Sequence, residues 1–307
     1  MRPTGRLLDL SINRLEELVG SGRLAVGTGP LVVRLKTSLP DVVRSLHVLY
    51  GQHPYWIDPP FADFNIEVKV PWNLRRWFRS QAEFVVDGER PFEPLPREQA
   101  PAFFEWGLNW SVAAACHQWL TVHGASLERN GCSVILPAPP GSGKSTLCAA
   151  LAYRGWRLLT DELTLIDRTS LATSALARPV NLKNASIDVI RAYAPEATWG
   201  PEIYDTAKGR VTHLKPPVEA VDRMMETSNP RWIVFPRYEA GAEPLLTPRG
   251  KADTFQSFVG NAFNYSILGE VGFDVIGRLI SQCDCYDFVY SQLNDAIEVF
   301  DWLASGD

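Results

Sequence analysis

Hydrophobic and polar positions follow two different patterns along the chain, and the change falls near residue 100. Before it, short apolar runs of strand length alternate with proline-rich connections. These runs are residues 30–36, 64–70 and 82–87. After it, apolar side chains recur at helical spacing. This spacing predicts a helix that ends near Trp119 and buries the side chains of Phe103, Trp106 and Trp110.

Beyond this helix, apolar strands alternate with helical segments, which is typical of an α/β fold. The expected strands are residues 120–125, 132–137, 155–167, 232–235 and 287–290. The expected helices are residues 144–154, 184–193, 250–263, 269–281 and 294–304. We therefore predict an α/β domain over residues 101–307, preceded by a small α+β region over residues 1–100.

The charge of the chain argues against several classes of partner. The 307 residues include 30 Lys and Arg against 35 Asp and Glu, a formal net charge of −5, and no long basic stripe is present. Nucleic acid and acidic membrane surfaces are therefore not expected partners. The short basic run at residues 75–79 is expected to form a solvated face or a domain interface.

Other features of the sequence indicate a cytoplasmic protein. No stretch approaches the roughly 20 apolar residues of a membrane-spanning helix, and the first residues lack the apolar core of a signal peptide. Five cysteines are an odd number, and Cys283 and Cys285 do not have the spacing of a zinc site. We expect these cysteines to be reduced thiols.

A glycine-rich turn between the strand at 132–137 and the helix at 144–154 carries the strongest chemical signal. It ends in Gly143, Lys144 and Ser145, the residues of a P-loop, whose backbone N–H groups surround nucleotide phosphates. The lysine of such a loop reaches the outer phosphates, and the Ser hydroxyl binds Mg²⁺. ATP and Mg²⁺ are the expected cofactors. The candidate nucleotide-binding residues are Pro140, Gly141, Ser142, Gly143, Lys144, Ser145 and Thr146.

An acidic pair and a histidine are the candidate catalytic groups beside the terminal phosphate. Asp161 and Glu162 follow Lys144 by about 17 residues, on a strand expected to neighbour the P-loop strand. Phosphoryl transfer needs a carboxylate for Mg²⁺ and another group to accept or orient a hydroxyl proton. His123 is expected on a strand beside the P-loop, where the following Gly124 permits a close approach of another backbone. It is either a core histidine or a group that helps to orient the base.

Three segments, residues 122–124, 140–145 and 157–162, resemble in order and spacing the catalytic core of the HPr kinase/phosphorylase family. They are still more similar to the HPr-kinase-related kinases of peptide-modification gene neighbourhoods. The resemblance covers about 45 residues, 122–167. It implies an ATP- and Mg²⁺-dependent serine kinase of a protein or peptide, on a fold similar to the nucleotide-binding part of phosphoenolpyruvate carboxykinase. Membership would also allow a homo-oligomer, which no residue here establishes.

The resemblance implies a role for each matching residue. Lys144 would contact the β- and γ-phosphates, Ser145 would bind Mg²⁺, and Asp161 would be the catalytic base with Glu162 beside it. The chain departs from the family at Ala138, where glycine is usual. It also lacks a clear copy of the Glu-Ile-Arg-Gly segment, for which residues 177–184 are the nearest equivalent. This second departure puts the reverse, phosphorylase reaction in doubt.

Several basic residues are further candidates for phosphate binding. Arg178 and Lys183 are expected either to bind phosphate or to form surface ion pairs. The segment 206–217 carries four positively charged or titratable side chains and is expected to be a polar loop near a substrate or an exposed loop without a chemical role. Arg237 ends a strand, from which it would contact the triphosphate as an arginine finger does.

These residues leave two classes of function open. The first is a kinase that transfers the γ-phosphoryl group of ATP to a hydroxyl, either of a peptide serine or of a small molecule. The second is a nucleotide-responsive binding module that uses residues 1–100 to hold a partner and transfers nothing. GTP is not favoured, because the chain has no Asn-Lys-x-Asp sequence of the kind that recognises guanine.

Overall fold

The structure is a computed structural model that describes residues 1–72, 79–139 and 141–306. Most of the basic run at 75–79 and the candidate residue Pro140 lie outside the described residues. The described residues form a mixed α/β protein with three sheets.

The first sheet contains the strands of the N-terminal region. Its strands are β1 Gly5–Arg6, β2 Leu24–Thr28, β3 Leu31–Thr37, β4 Pro54–Ile57, β5 Phe64–Lys69, β6 Gln81–Val86 and β7 Leu95–Pro96. Their order is β1-β4-β2-β3-β5-β6-β7, in which the β3–β5 pair is parallel and the other pairs are antiparallel. The helices of this part are α1 Ile12–Gly20, α2 Pro40–Leu49 and α3 Ala100–Ala115, with 3-10 turns at Leu7–Asp9 and Arg97–Gln99.

Helix α3 belongs by its packing to the first sheet. Its residues Phe103, Phe104 and Leu108 share one buried core with the inner face of that sheet and with α1 and α2. At Gly107 the helix lies so close to β6 that an added Cβ would fall 2.2 Å from the ring of Phe84. The predicted boundary at residue 100 therefore separates α3 from the core in which it is buried.

The second sheet lies in the C-terminal part of the chain. Its strands are β8 Trp119–Arg129, β9 Cys132–Pro137, β10 Arg157–Thr160, β11 Leu163–Asp167, β12 Thr173–Ser174, β16 Asn229–Tyr238, β17 Leu245–Pro248 and β18 Asp284–Tyr290. Their order is β12-β11-β8-β9-β16-β18-β17, and β10 pairs with β8 on the same edge as β11. A third, small sheet has the order β13-β15-β14, from Val180–Lys183, Gly209–Leu214 and Ile203–Thr206.

Helices cover both faces of the second sheet. They are α4 Lys144–Ala152, α5 Ala185–Tyr193, α6 Val218–Asp222, α7 Lys251–Asn261, α8 Tyr265–Leu268, α9 Glu270–Gln282 and α10 Leu293–Ser305. The core on one face joins α4, α5 and α10 to the sheet, and the core on the other joins α7 and α9. Because the central strands are covered on both sides, β9 is buried over nearly all its length.

The parallel strands β9, β16 and β18 determine where a ligand can bind. They run side by side, with β16 between the other two. Their carboxyl ends therefore meet at one edge, the edge at which α/β sheets bind ligands. The turn that follows β9 and leads into α4 lies at this edge, as do Tyr238 at the end of β16 and Tyr290 at the end of β18.

The sequence predicts most elements of the C-terminal part within a few residues. The first helix is an exception, because it ends at Ala115 and Trp119 instead begins β8. The segment 206–217, which was expected to be a loop, contains all of β15, and this strand pairs with β13. The strands β2 and β4 and the helices α1 and α2 were not predicted.

Candidate active site

The turn between β9 and α4 depends on two glycines with positive φ. Gly141 and Gly143 both adopt φ of +88°, a region that residues with a Cβ rarely occupy. A Cβ on Gly143 would lie 2.6 Å from the hydroxyl of Tyr290 and 2.9 Å from Cβ of Tyr238. The loop is therefore closely packed against the ends of two parallel strands.

Two hydrogen bonds hold the loop in this position. Tyr290 donates from its hydroxyl to the carbonyl oxygen of Gly143 at 3.0 Å. The backbone N–H of Tyr238 donates to the carbonyl oxygen of Ser142 at 2.9 Å. Because these bonds engage carbonyl groups of the loop, most of its N–H groups and the N-terminus of α4 stay available for an anion. The N–H of Ser142 is the exception, because it donates to the carbonyl oxygen of Pro139 at 3.4 Å.

Lys144 lies at the first position of α4 and is nearly buried. Its Nζ donates to the backbone carbonyl oxygen of Asp161 at 2.6 Å. This contact places the lysine ammonium beside the acidic pair. The sequence-based expectation that Lys144 and the acidic pair meet in space is therefore met by the geometry.

A cleft of about 1410 Å³ opens above the loop. Residues 141–146 form its floor, and α5 and the first residues of α10 form the walls at one end. At the other end lie Glu162, His123, the third sheet and the second half of α3. Since ligand pockets for one small molecule have volumes of roughly 300–1,000 Å³, the cleft has room for two substrates.

Asp161 lies under the cleft and not on its wall. Its side chain is buried, and its Oδ2 accepts a hydrogen bond from the backbone N–H of Asn181 at 3.1 Å. Burial raises the pKa of Asp161, although Lys144, Asn181 and the Ser145 hydroxyl act in the opposite direction. Its Oδ1 is buried without a hydrogen-bond partner among the described residues.

Glu162, the second carboxylate, lies on the cleft wall. Its Oε1 accepts a hydrogen bond from Nδ2 of Asn181 at 3.1 Å, and its Oε2 accepts one from Nδ2 of Asn109. Burial by itself would raise the pKa of Glu162, but the charges of Lys144, Lys183 and Lys208 lower it below its usual value. Each oxygen keeps a lone pair for a further donor.

The orientation of the two carboxylates depends on an irregularity in the outer strand. Residues 157–167 pair with β8 along one edge, but the register shifts by one residue between Leu158 and Thr160. A β-bulge of this kind changes the direction of the side chains that follow it. This outer strand is separated from β9 by β8. The acidic pair was expected on a direct neighbour of the P-loop strand, and this expectation is wrong.

A buried network supports the cleft wall from the N-terminal region. Tyr50, the residue directly after α2, donates from its hydroxyl to both carboxylate oxygens of Glu105, at 2.8 and 2.9 Å. Arg178 pairs with the same carboxylate at 2.6 Å and donates to Oδ1 of Asn109. Asn109 in turn donates to Glu162. Arg178 is thus a buried structural residue, neither a surface ion pair nor a residue of the cleft wall.

His123 is half-buried on the cleft wall, in β8. Its pKa is lowered, first by burial and then by the charge of Lys144, so its neutral form is favoured. A Cβ on Gly124 would lie 3.0 Å from the carbonyl oxygen of Leu136, which explains the glycine beside the histidine. The predicted pairing of this strand with the P-loop strand is confirmed.

Among the basic candidates, Lys183 and Lys208 line the cleft near Glu162. Arg237 does not. Its exposed guanidinium pairs with Glu239 at 3.1 Å, whereas the neighbouring Tyr238 is the residue that lines the cleft. Since successive side chains of a strand point to opposite faces, Arg237 cannot share the orientation of Tyr238. Arg237 therefore does not line the cleft that it was expected to reach.

Several cleft or network residues were not found by the sequence-based reasoning, five of which carry the argument about the site. Trp110 was expected in the core, but 43% of it is exposed on the cleft wall. No local motif marks the others, which come from separate elements and meet only in the fold. They are Asn109, Asn181, Tyr238 and Tyr290.

The residues present fit a magnesium ion next to a bound nucleotide. Mg²⁺ is usually held by one or two carboxylates together with phosphate oxygens and water. The Ser145 hydroxyl and the unpartnered Oδ1 of Asp161 would supply oxygen ligands beside the loop, and Glu162 is adjacent. Among the described residues no group of three or more His, Cys, Asp or Glu side chains forms a metal cage.

No family model matches the chain, and no curated protein matches it. Among solved structures, the chain is similar to the Hpr(Ser) kinase/phosphatase from Coxiella burnetii, with 12% sequence identity and a TM-score of 0.27. The match covers 61% of this chain and 99% of that chain. A TM-score this low supports no argument about function, which must come from the site itself.

In the part of the chain that the structure describes, no helix has both the length and the apolar character needed to cross a bilayer.

Proposed function

We propose that the protein is an ATP- and Mg²⁺-dependent phosphotransferase that phosphorylates a hydroxyl group. The observation that carries this proposal is the meeting of Lys144, Asp161 and Glu162 at one end of a cleft whose floor is the P-loop. A loop that only binds a nucleotide needs its lysine and hydroxyl. The additional carboxylate on the wall of a cleft with room for a second substrate favours transfer.

The two carboxylates have different roles in this proposal. Glu162 lies on the cleft wall with a lone pair free on each oxygen, so it orients the acceptor hydroxyl and accepts its proton. Asp161 is buried beside Lys144 and Ser145, which fits a ligand of Mg²⁺. This assignment differs from the one that the family resemblance implies, in which Asp161 is the catalytic base with Glu162 beside it.

The remaining groups position the phosphates. The N–H groups of Gly141 and of residues 143–146 at the N-terminus of α4 bind the phosphate chain, and Lys144 neutralises charge on its outer end. Lys183 and Lys208 lie on the same wall as Glu162 and add positive charge where the γ-phosphoryl group would be transferred. Bound Mg²⁺ would neutralise further phosphate charge.

Purified protein incubated with γ-labelled ATP, Mg²⁺ and a serine peptide library tests the proposal. Lys144→Ala should weaken ATP binding and abolish labelling. Glu162→Gln should abolish labelling while the Kd for ATP stays within a few-fold of the parental value. Labelling at the parental rate by Glu162→Gln would show that the proton acceptor is wrongly assigned.

The alternative is a nucleotide-responsive binding module without transfer. It predicts ATP binding that depends on Lys144, with no labelled acceptor among peptides or small alcohols. Arg237→Ala serves as the control variant in both assays, because its side chain is exposed and lies away from the cleft. Its nucleotide affinity and labelling should equal those of the parental protein.

A further inference from the structure

The acceptor end of the cleft has an apolar wall that phosphate chemistry does not require. Trp110, Phe263 and Ile267 line it, and their exposed fractions are 43%, 51% and 65%. Large apolar side chains grouped in a cleft and left exposed usually mark a binding surface. We call these three residues the apolar shelf.

The apolar shelf lies next to the groups that would perform transfer. Trp110 directly follows Asn109, which donates to Glu162. The ring of Phe263 lies 5.8 Å from that of His123, centroid to centroid. His123 is paired across the sheet with Leu163, the residue after Glu162. Two of the three shelf residues are therefore linked through close neighbours to Glu162, the carboxylate that faces the acceptor in the proposed function.

In the proposed function, the nucleotide occupies the part of the cleft that α5 and α10 line. Helix α4, which begins at Lys144, packs between α5 and α10. Val189 and Tyr193 of α5 and Leu293 of α10 line the cleft beside this helix. A nucleotide whose outer phosphate reaches Lys144 and Glu162 extends its base toward this end. The apolar shelf then remains for the second substrate.

The shelf is held in place before any ligand binds. Trp110 packs edge-on against Phe92, with ring centroids 5.3 Å apart. The N–H of Phe263 donates to the carbonyl oxygen of Thr121 at 2.9 Å, and the buried Asn264 bonds to the backbone of β8 on both sides of Leu120. A surface that is already ordered loses little conformational entropy on binding.

The openness of the shelf distinguishes between kinds of acceptor. A small-molecule pocket usually buries 70–90% or more of its ligand. The shelf residues are about half exposed, so they cover one side of a ligand only. This suits a segment of polypeptide, whose other side can remain in water.

On the basis of the proposed function, we infer that the acceptor is a hydroxyl residue of a polypeptide, with a large apolar side chain within two positions of it. The hydroxyl points to Glu162, and the apolar side chain lies on the shelf. Trp110 and Phe263 are therefore specificity-determining residues. The inference concerns which acceptor is chosen, whereas the proposed function concerns whether transfer occurs.

The first arm of the test measures transfer. Full-length protein, γ-labelled ATP and serine peptides that differ only in the residues flanking serine are compared. Peptides with Leu, Ile, Phe or Trp near the serine should have a KM about tenfold below that of their alanine counterparts. Trp110→Ala should remove this preference, which corresponds to about 1.4 kcal/mol, and leave the Kd for ATP unchanged.

The second arm measures binding without transfer. Fluorescein-labelled peptides of both kinds are titrated into protein loaded with Mg²⁺ and a non-hydrolysable ATP analogue, and anisotropy is recorded. Because Trp110 also packs on Phe92, Ile267→Ser is a second shelf variant in case Trp110→Ala does not fold. Trp302→Ala is the matched control, since Trp302 is 55% exposed on α10 and does not line the cleft.

The two arms separate the inference from the proposed function. Apolar-flanked peptides that bind through the shelf without becoming labelled would support the inference and overturn the proposed function. Labelling with no apolar preference, or a preference unchanged in the shelf variants, would overturn the inference alone. Labelling of small alcohols but of no peptide would also overturn it. Absence of both peptide binding and labelling would overturn both.

Discussion

The buried pair of Arg178 and Glu105 gives the sharpest test of how the N-terminal region supports the cleft. Their side chains are only 7% and 5% exposed, and the pair is 2.6 Å apart. Arg178→Met would leave the carboxylate without its counter-charge in a site closed to water. Breaking a buried pair in this way costs about 3–5 kcal/mol.

The size of this loss can be measured by urea or thermal unfolding. At roughly 2 °C per kcal/mol for a chain of this size, Tm should fall by about 6–10 °C. Arg44→Met is the matched control, because Arg44 pairs with Asp41 on the surface of α2, with 62% and 50% of the side chains exposed. Its cost should be about 0–1 kcal/mol.

A double variant separates an unpaired charge from lost packing. Removing both charges, in Arg178→Met with Glu105→Met, should destabilise the protein less than Arg178→Met alone, because no uncompensated charge stays buried. The reasoning is refuted if Arg178→Met costs no more than Arg44→Met. It is also refuted if the double variant loses the full sum of its two single variants.

Two further predictions concern the glycine turn and pH. Gly143→Ala should raise the Kd for ATP at least tenfold in a titration, because the new Cβ meets Tyr290 and Tyr238 at a φ of +88°. His53 is buried, and burial lowers its pKa to about 4, so the folded state binds its proton less readily than the unfolded state. Stability should therefore fall as the pH drops from about 6.5 toward 4, with a loss at this residue of about 2 kcal/mol by pH 5.

Each of these has its own control. Gly155→Ala has a similar φ of +90°, but nothing lies within 4 Å of its added Cβ, so ATP affinity should not change. Equal effects at both glycines would mean that backbone strain, and not the contact with the tyrosines, disrupts the loop. For the pH prediction, His53→Gln should reduce the change in unfolding free energy between pH 7 and 5. An unchanged slope would mean that other groups cause the pH dependence.

The sequence alone identified the parts of the site that depend only on residues close together in the chain. The glycine turn, its lysine and hydroxyl, and the helix behind them follow from local backbone preferences. A few consecutive residues determine both a glycine at positive φ and a transition from strand to helix. The same holds for most strands and helices of the second sheet, because their apolar patterns match the period of each element.

The tertiary structure alone decided how side chains from distant segments are oriented. Whether Asp161 or Glu162 faces the cleft depends on a one-residue register shift against β8, which no local pattern reveals. Arg237 and Tyr238 are neighbours in sequence, yet only one of them lines the cleft. Asn109 becomes a partner of Glu162 because α3 packs in the core of the first sheet. Such contacts depend on packing between segments far apart in the chain, which hydrophobic periodicity cannot specify.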